Sequence, residues 1–275
     1  MYYGLCTPGS ERITVGEIMS KDPVFVRGDD YMTHARQLVR DNFIRGLPVV
    51  DEGNKVLGIL TDQDVLNIHS SKSNVTVKGY IRESPLITPD TAILNAARLL
   101  LDAKQHHIPV VASASDRTLV GILSDADLLR HIQPTRASPR TVEEIMTTNV
   151  ETAYPDDSIS RIWENMLDQD YTGIPVVSHK KEVLGIVTRI DIIKAGYARI
   201  GTTNTQGRSS GGSMPVEKVM STPLYSLPPT ASVSEAIGEL LHNNIGRISV
   251  TNGDKLVGIV DRHDLLSACL AGMGL

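Results

Sequence analysis

"GILTDQDVL", from Gly58 to Leu66, reads as the end of a β-strand running into a helix. The chain writes it again as "GILSDADLL" from Gly121, "GIVTRIDII" from Gly185 and "GIVDRHDLL" from Gly258, at spacings of 63, 64 and 73 residues. A second phrase precedes each copy: "LPVV" at Leu47, "IPVV" at Ile108, "IPVV" at Ile174 and "ISVT" at Ile248. A third opens each unit: "VGEIMSKDPVFV" from Val15, "VKGYIRESPLIT" from Val77, "VEEIMTTNVETA" from Val142 and "VEKVMSTPLYSL" from Val216. Three phrases in one order, four times, define an internal repeat.

Each unit reads as β-α-β-β-α. A short extended segment follows the opening phrase, then an amphipathic helix such as "TAILNAARLLLDAK", whose Ile93, Ala97, Leu100 and Leu101 fall near one face. Two β-branched strands joined by a polar turn such as "EGNK" (52–55) or "TNGDK" (251–255) come next, and the second helix begins at the Thr-x-x-Asp phrase. The fold class expected is α/β (α+β), with units at 11–70, 71–133, 140–197 and 214–272. A unit of about 60 residues cannot cover both faces of its sheet, so units should pair. "HIQPTRASPR" (131–140) divides the chain near its middle, and "GTTNTQGRSSGGS" (201–213) reads as a flexible surface loop within the second pair.

Composition narrows the function. Apolar residues are 41% and charged residues 21%, a globular balance with no membrane-length apolar run. The start "MYYGLCTPGSER" does not read as a secretory signal. Cys6 and Cys269 are too few for a disulfide framework or a cysteine-based metal site, and they suit a cytoplasmic protein. A net charge of −5 gives no general attraction for nucleic acid or anionic lipid, so no direct DNA binding is expected. No HExxH, P-loop, GxSxG or nucleophile–base pattern is found, so the reading is not an enzyme and needs no metal.

Thr61-x-x-Asp64 has two compatible readings. It is a capping box, in which Thr accepts from first-turn amides and the acid complements the helix dipole. Yet all four copies use Asp (Asp64, Asp127, Asp191 and Asp264) where Glu or Gln is usual. A short carboxylate is also suited to accept from both hydroxyls of a ribose, beside a helix N-terminus that favours phosphate.

These phrases, in this order, resemble the CBS domain, named after cystathionine β-synthase, over nearly the whole chain from about Glu11 to about Leu270. Two such domains form a Bateman module, so the resemblance implies four CBS domains in two modules. The layout is that of a stand-alone protein similar to the gamma subunit of AMP-activated kinase. It also implies adenosine-containing ligands, with the repeated Asp on the ribose hydroxyls and the Ser or Thr three residues earlier on ribose or phosphate. Family sites are composite, and four clefts are expected. The first joins Thr14, Ile18, Ile44 and Arg45 to Ser124 and Asp127. The second joins Tyr80, Gln105, His106 and His107 to Thr61 and Asp64. The third joins Ile145, Tyr171 and Thr172 to Asp261 and Asp264. The fourth joins Val219, Ile245, Gly246 and Arg247 to Thr188 and Asp191.

The clefts differ. Arg45 can pair with phosphate. His106 and His107 match positions where the kinase subunit places phosphate-binding residues, although packing would explain them equally well. Asp261 stands where the others have Ser or Thr, adding negative charge where phosphate would sit. Arg189 and Arg247 lie near the fourth cleft, as phosphate partners or as solvated surface charges, and "ISVT" lacks the proline of the other copies.

The function expected is a regulatory sensor. AMP, ADP, ATP or an S-adenosyl compound would act as a regulatory ligand, no cofactor being required, and an unknown protein partner would read module geometry. The alternative is an assembly or silencing protein docking on an enzyme, transporter or ribonucleoprotein, with nucleotide as a structural ligand. The modules would close into an intramolecular four-domain disk or pair as a homodimer.

Overall fold

The computed structural model describes residues 13–66, 74–135, 138–195 and 214–273, so the 201–213 loop expectation lies outside the described residues. Its elements follow the repeat. The first unit holds α1 (Val15–Ile18), β1 (Ser20–Lys21), β2 (Val26–Arg27), α2 (Met32–Asn42), β3 (Gly46–Val50), β4 (Val56–Thr61) and α3 (Asp62–Leu66). The second opens with a 3-10 turn (Val77–Tyr80) and continues through α4 (Ile93–Asp102), β5 (His107–Val111), β6 (Leu119–Ser124) and α5 (Asp125–Leu129). The third has α6 (Ile159–Asp168), β7 (Gly173–Val177), β8 (Val183–Thr188) and α7 (Arg189–Lys194). The fourth has β9 (Ser226–Leu227), α8 (Val233–His242), β10 (Arg247–Asn252), β11 (Lys255–Asp261) and α9 (Arg262–Ala271).

The helical periodicity is realised as burial. In α4, Ile93, Ala96, Ala97 and Leu100 are buried, while Leu101 is only partly covered. In each unit the two long strands pair antiparallel with one register, for example Leu47↔Leu60 and Ile174↔Val187.

The glycine that opens the repeated phrase has a tertiary cause. Each unit's opening segment crosses to its partner's last strand. Ser20 pairs with Ile122, Arg82 with Ile59, Thr147 with Ile259 and Ser221 with Ile186. The crossing passes directly over the glycine. A Cβ at Gly58 would lie 2.3 Å from the Arg82 carbonyl oxygen, and one at Gly185 would lie 2.7 Å from that of Ser221. At Gly121 and Gly258 it would meet the sulfur of Met19 at 2.6 Å or of Met146 at 2.4 Å. Units one and two, and units three and four, are thereby locked into modules.

The modules meet along two unlike seams. Units two and four share one apolar core, in which Leu128, Leu129 and Ile132 pack with Leu265, Leu266 and Cys269. Units one and three keep separate cores, and their seam is polar. Gln63 Nε2 donates to the Leu167 carbonyl at 2.7 Å, and buried Arg189 binds Asp62 at 3.1 Å. The four units therefore close into a ring within one chain.

One repeat position aligns these seams. The residue after the N-cap is Asp62 or Asp125 in the first module and Arg189 or Arg262 in the second. Asp62 pairs with Arg189, and Asp125 with Arg262 at 3.5 Å. Charge at this position thus matches unit one to three and unit two to four.

Candidate functional site: four capped carboxylates and one large cleft

The repeated Asp caps its helix in every unit. Its Oδ2 accepts from the N-cap backbone N–H of Thr61 (3.0 Å), Ser124 (3.0 Å), Thr188 (2.8 Å) or Asp261 (2.9 Å). Its own N–H donates back to the N-cap side chain at 3.0–3.2 Å. Capping uses one carboxylate oxygen, and the other has a different fate in each unit.

In the second cleft Asp64 Oδ1 takes Arg82 Nε at 2.9 Å and Arg82 Nη2 at 2.5 Å. Arg82 occupies the opening-phrase position that is Ser20, Thr147 or Ser221 elsewhere, a departure visible in "YIRESP". Gln105 is held by the Glu83 carbonyl (2.8 Å) and Ser84 Oγ (2.7 Å), and Tyr80 packs against the unit-one core. His106 Nδ1 pairs with buried Asp125 at 2.8 Å, and its ring lies 4.8 Å from that of His263 across the apolar seam. Burial opposes ionisation of Asp125, but the hydrogen bond from His106 and the charges of His106, Arg262 and His107 together outweigh it and hold the carboxyl below its usual range. Burial pulls His107 down to about 4, so its imidazole is neutral at pH 7. His106 thus sits in the seam between modules, hydrogen-bonded to Asp125, while the uncharged His107 packs against Gly46 of unit one.

In the first cleft Asp127 Oδ1 is taken by Arg130 Nη1 at 2.8 Å. Thr14 is the N-cap of α1, bonded to Glu17 Oε1 through N–H (3.0 Å) and Oγ1 (3.1 Å), while Ile18 packs on the shared core. Ile44 and Arg45 were expected beside Ser124 and Asp127, and the structure turns them elsewhere. The segment before β3 reaches the ring centre and enters the wall of the fourth cleft.

That cleft is a cavity of about 610 Å³. Thr188 and Asp191 line it from unit three, Ile245, Gly246 and Arg247 from unit four, and Ile44 and Arg45 from unit one. Arg45 closes on Gly246, where a Cβ would lie 3.1 Å from Nη2. Among the described residues, Asp191 Oδ1 receives only the exposed Ser221 hydroxyl, at 2.9 Å. Arg45 forms no ion pair among the described residues. Burial lowers Arg247 to about 10, still charged at pH 7; its Nη1 donates to the Gly173 carbonyl at 3.1 Å and Nη2 to Thr172 Oγ1. Arg189 is committed elsewhere, to Asp62, Asp170 and the Met166 carbonyl. Val219 packs in the unit-three core, away from the lining. Sequence reading missed Phe43, Pro223, Leu224, Tyr225 and Ser249 in the wall; of these only the serine in "ISVT" stood out.

The third cleft is smaller, about 190 Å³, lined by Tyr171, Glu151, Arg247, Asp261 and Asp264 among others. Thr172 faces the larger cavity instead, and Ile145 packs on the shared core. Burial and the adjacent Asp261 charge push the Asp264 carboxyl up to about 6.

The model of the CBS domain matches residues 15–71, 77–134, 142–198 and 216–271. The chain is a four-repeat α/β protein and belongs to the CBS-domain family. Protein MJ1404 of Methanocaldococcus jannaschii, an uncharacterized protein, is 29% identical over 260 residues, covering 92% of this chain and 61% of MJ1404. The chain therefore spans about three fifths of that relative's length. Protein MJ1225 of the same organism is 27% identical over 195 residues, 66% of this chain and 69% of MJ1225. Its crystal structure, described as that of a proposed archaeal homologue of γ-AMPK, matches with a TM-score of 0.74 at 20% identity over 93% of this chain and 99% of that one. An uncharacterized conserved protein from Pyrococcus horikoshii matches with a TM-score of 0.66 at 19% identity, over 94% and 100%. These likenesses show the fold. No helix among the described residues is long and apolar enough to cross a membrane.

Proposed function

We propose that the protein is a cytoplasmic regulatory sensor that binds an adenosine phosphate in the cleft between its third and fourth units. The observation that carries this reading is the composition of one cavity. Asp191 presents a carboxylate oxygen outside its cap, and Arg45 and Arg247 bring positive charge to the same space. Its volume lies within the range for small-molecule pockets. The carboxylate suits ribose hydroxyls, the apolar wall of Ile245, Leu224 and Tyr225 suits adenine, and the arginines suit phosphate. The arginines favour AMP, ADP or ATP over a sulfonium compound. The second cleft is disfavoured because Arg82 already occupies Asp64.

The ligand would touch units three and four and, through Arg45, unit one. It can shift module geometry only by its differential affinity for two arrangements. A protein partner that recognises one arrangement would then read ligand level.

The test is calorimetric titration of nucleotide-stripped protein with AMP, ATP and S-adenosylmethionine. A hydrogen bond to a charged group contributes about 1.5–3 kcal/mol, so Asp191→Asn should weaken AMP roughly ten- to hundredfold. Asp64→Ala should leave affinity within about twofold. Absence of micromolar binding to any of the three, or equal loss in both variants, rejects the assignment.

A further inference from the structure

Ser249 is the one buried hydroxyl in the large cavity's wall that has no hydrogen-bond partner among the described residues. The other units carry Pro48, Pro109 and Pro175 at this position, so the hydroxyl belongs to the fourth unit alone. Its residue is fully buried. Alternation along β10 sets its direction. Ile248 and Val250 point into the shared apolar core, so Arg247 and Ser249 share the opposite face, which lines the cavity. An unpaired hydroxyl in such a place is destabilising unless something bonds to it.

The two residues stand about 7 Å apart along the strand. Arg247 is next to Arg45 at the ring centre, and Ser249 lies two residues farther out, on the side where Leu224 and Tyr225 supply apolar wall. With phosphate at the arginines and ribose at Asp191, the position left for the base is beside Ser249.

We propose that Ser249 hydrogen-bonds the polar edge of the ligand's base and sets base recognition in the fourth-unit cleft. The inference rests on the reading of this cavity as an adenosine phosphate site. A proline there offers no donor, so the substitution turns a steric wall into a hydrogen-bonding one. A hydroxyl is both donor and acceptor, which lets it meet either kind of atom on a purine edge.

The test titrates the full chain with AMP and with adenosine, for wild type, Ser249→Ala and Arg45→Ala, and unfolds each ligand-free variant in urea. Ser249→Ala should keep or raise the wild-type urea midpoint, because it deletes an unpaired group. It should weaken AMP and adenosine by the same five- to twentyfold, while Arg45→Ala weakens AMP alone. Unchanged AMP affinity in Ser249→Ala overturns the proposal, as does a loss seen with AMP but not adenosine. A lowered urea midpoint with intact binding would make the hydroxyl structural and overturns it too. Failure of wild type to bind either compound instead rejects the cavity's assignment itself, a distinct result.

Discussion

An aspartate has two oxygens, and in this chain they do different work. Oδ2 is spent on the helix cap in all four units, while Oδ1 meets Arg82, Arg130 or Ser221 in three of them. The third cleft pairs two acids instead. Asp264 has an ordinary value of 3.8 and is raised to about 6 in the fold by burial and Asp261. The native state therefore holds a proton that the unfolded chain has released between about pH 4 and 6. Stability supplied by this group falls as pH rises through that window and stays lower above it. Asp261→Thr keeps a capping oxygen and removes the paired charge. Its urea midpoint should exceed wild type at pH 7 by an amount corresponding to roughly 1–2 kcal/mol, and the advantage should shrink toward pH 4. A constant difference across the range would show that the acid pair does not cause the elevation.

At the scale of elements, the repeated phrase is a junction at which a strand ends, a helix is capped and a neighbouring segment crosses. The glycine serves the crossing and the Ser/Thr/Asp serves the cap. The nearest neighbour at Gly58 is the Arg82 backbone oxygen, whereas at Gly121 it is the sulfur of a flexible methionine, with the Ser20 backbone oxygen farther off at 3.0 Å. Gly58→Ala must push the Arg82 segment away from β4 and should destabilise by about 1–3 kcal/mol, as overpacking does. Gly121→Ala should lose less, since Met19 can change rotamer. Urea unfolding of the two variants side by side checks the order. The helix-ending turns are also shared. Phe43, Lys104, Asp170 and Asn244 all adopt positive φ, between 49° and 56°, which turns the chain back into the next strand. At Asp170 the same turn delivers a carboxylate to Arg189 at 2.8 Å.

At the scale of the molecule, two modules of one architecture dock with unlike seams, and paired charges select their register. Asp62 and Arg189 are 127 residues apart in sequence, Asp125 and Arg262 137. Pairing each module with a copy of itself would set Asp against Asp or Arg against Arg at this position. Removing one partner of a buried pair costs roughly 3–5 kcal/mol, so Arg189→Asp should lose stability on that order and loosen the polar seam. The double variant Asp62→Arg with Arg189→Asp should recover part of it. Urea unfolding with solution scattering reads both effects, and a double variant no better than the single would dismiss the charge match as the selector.

The number of units, their order, the strand–turn–strand register and the capped second helix could all be read from the residues. Each depends on contacts between positions within a few residues, or on periodic burial that any copy of the unit must repeat. "YIRESP" even carried the Arg82 departure in plain view, and "ISVT" the serine. What the residues could not state was where side chains at the ring centre go. Arg45 reads like a partner of Asp127 while only the repeat is known, yet it closes on Gly246, some two hundred positions away. His106 and His107 read like phosphate ligands, yet one is hydrogen-bonded to Asp125 with its ring beside His263, and burial leaves the other neutral. Local repeats determine the unit and its caps because those energies are local. Only the tertiary structure decides which carboxylate faces open space and which cations gather beside it, because that depends on how two finished modules meet.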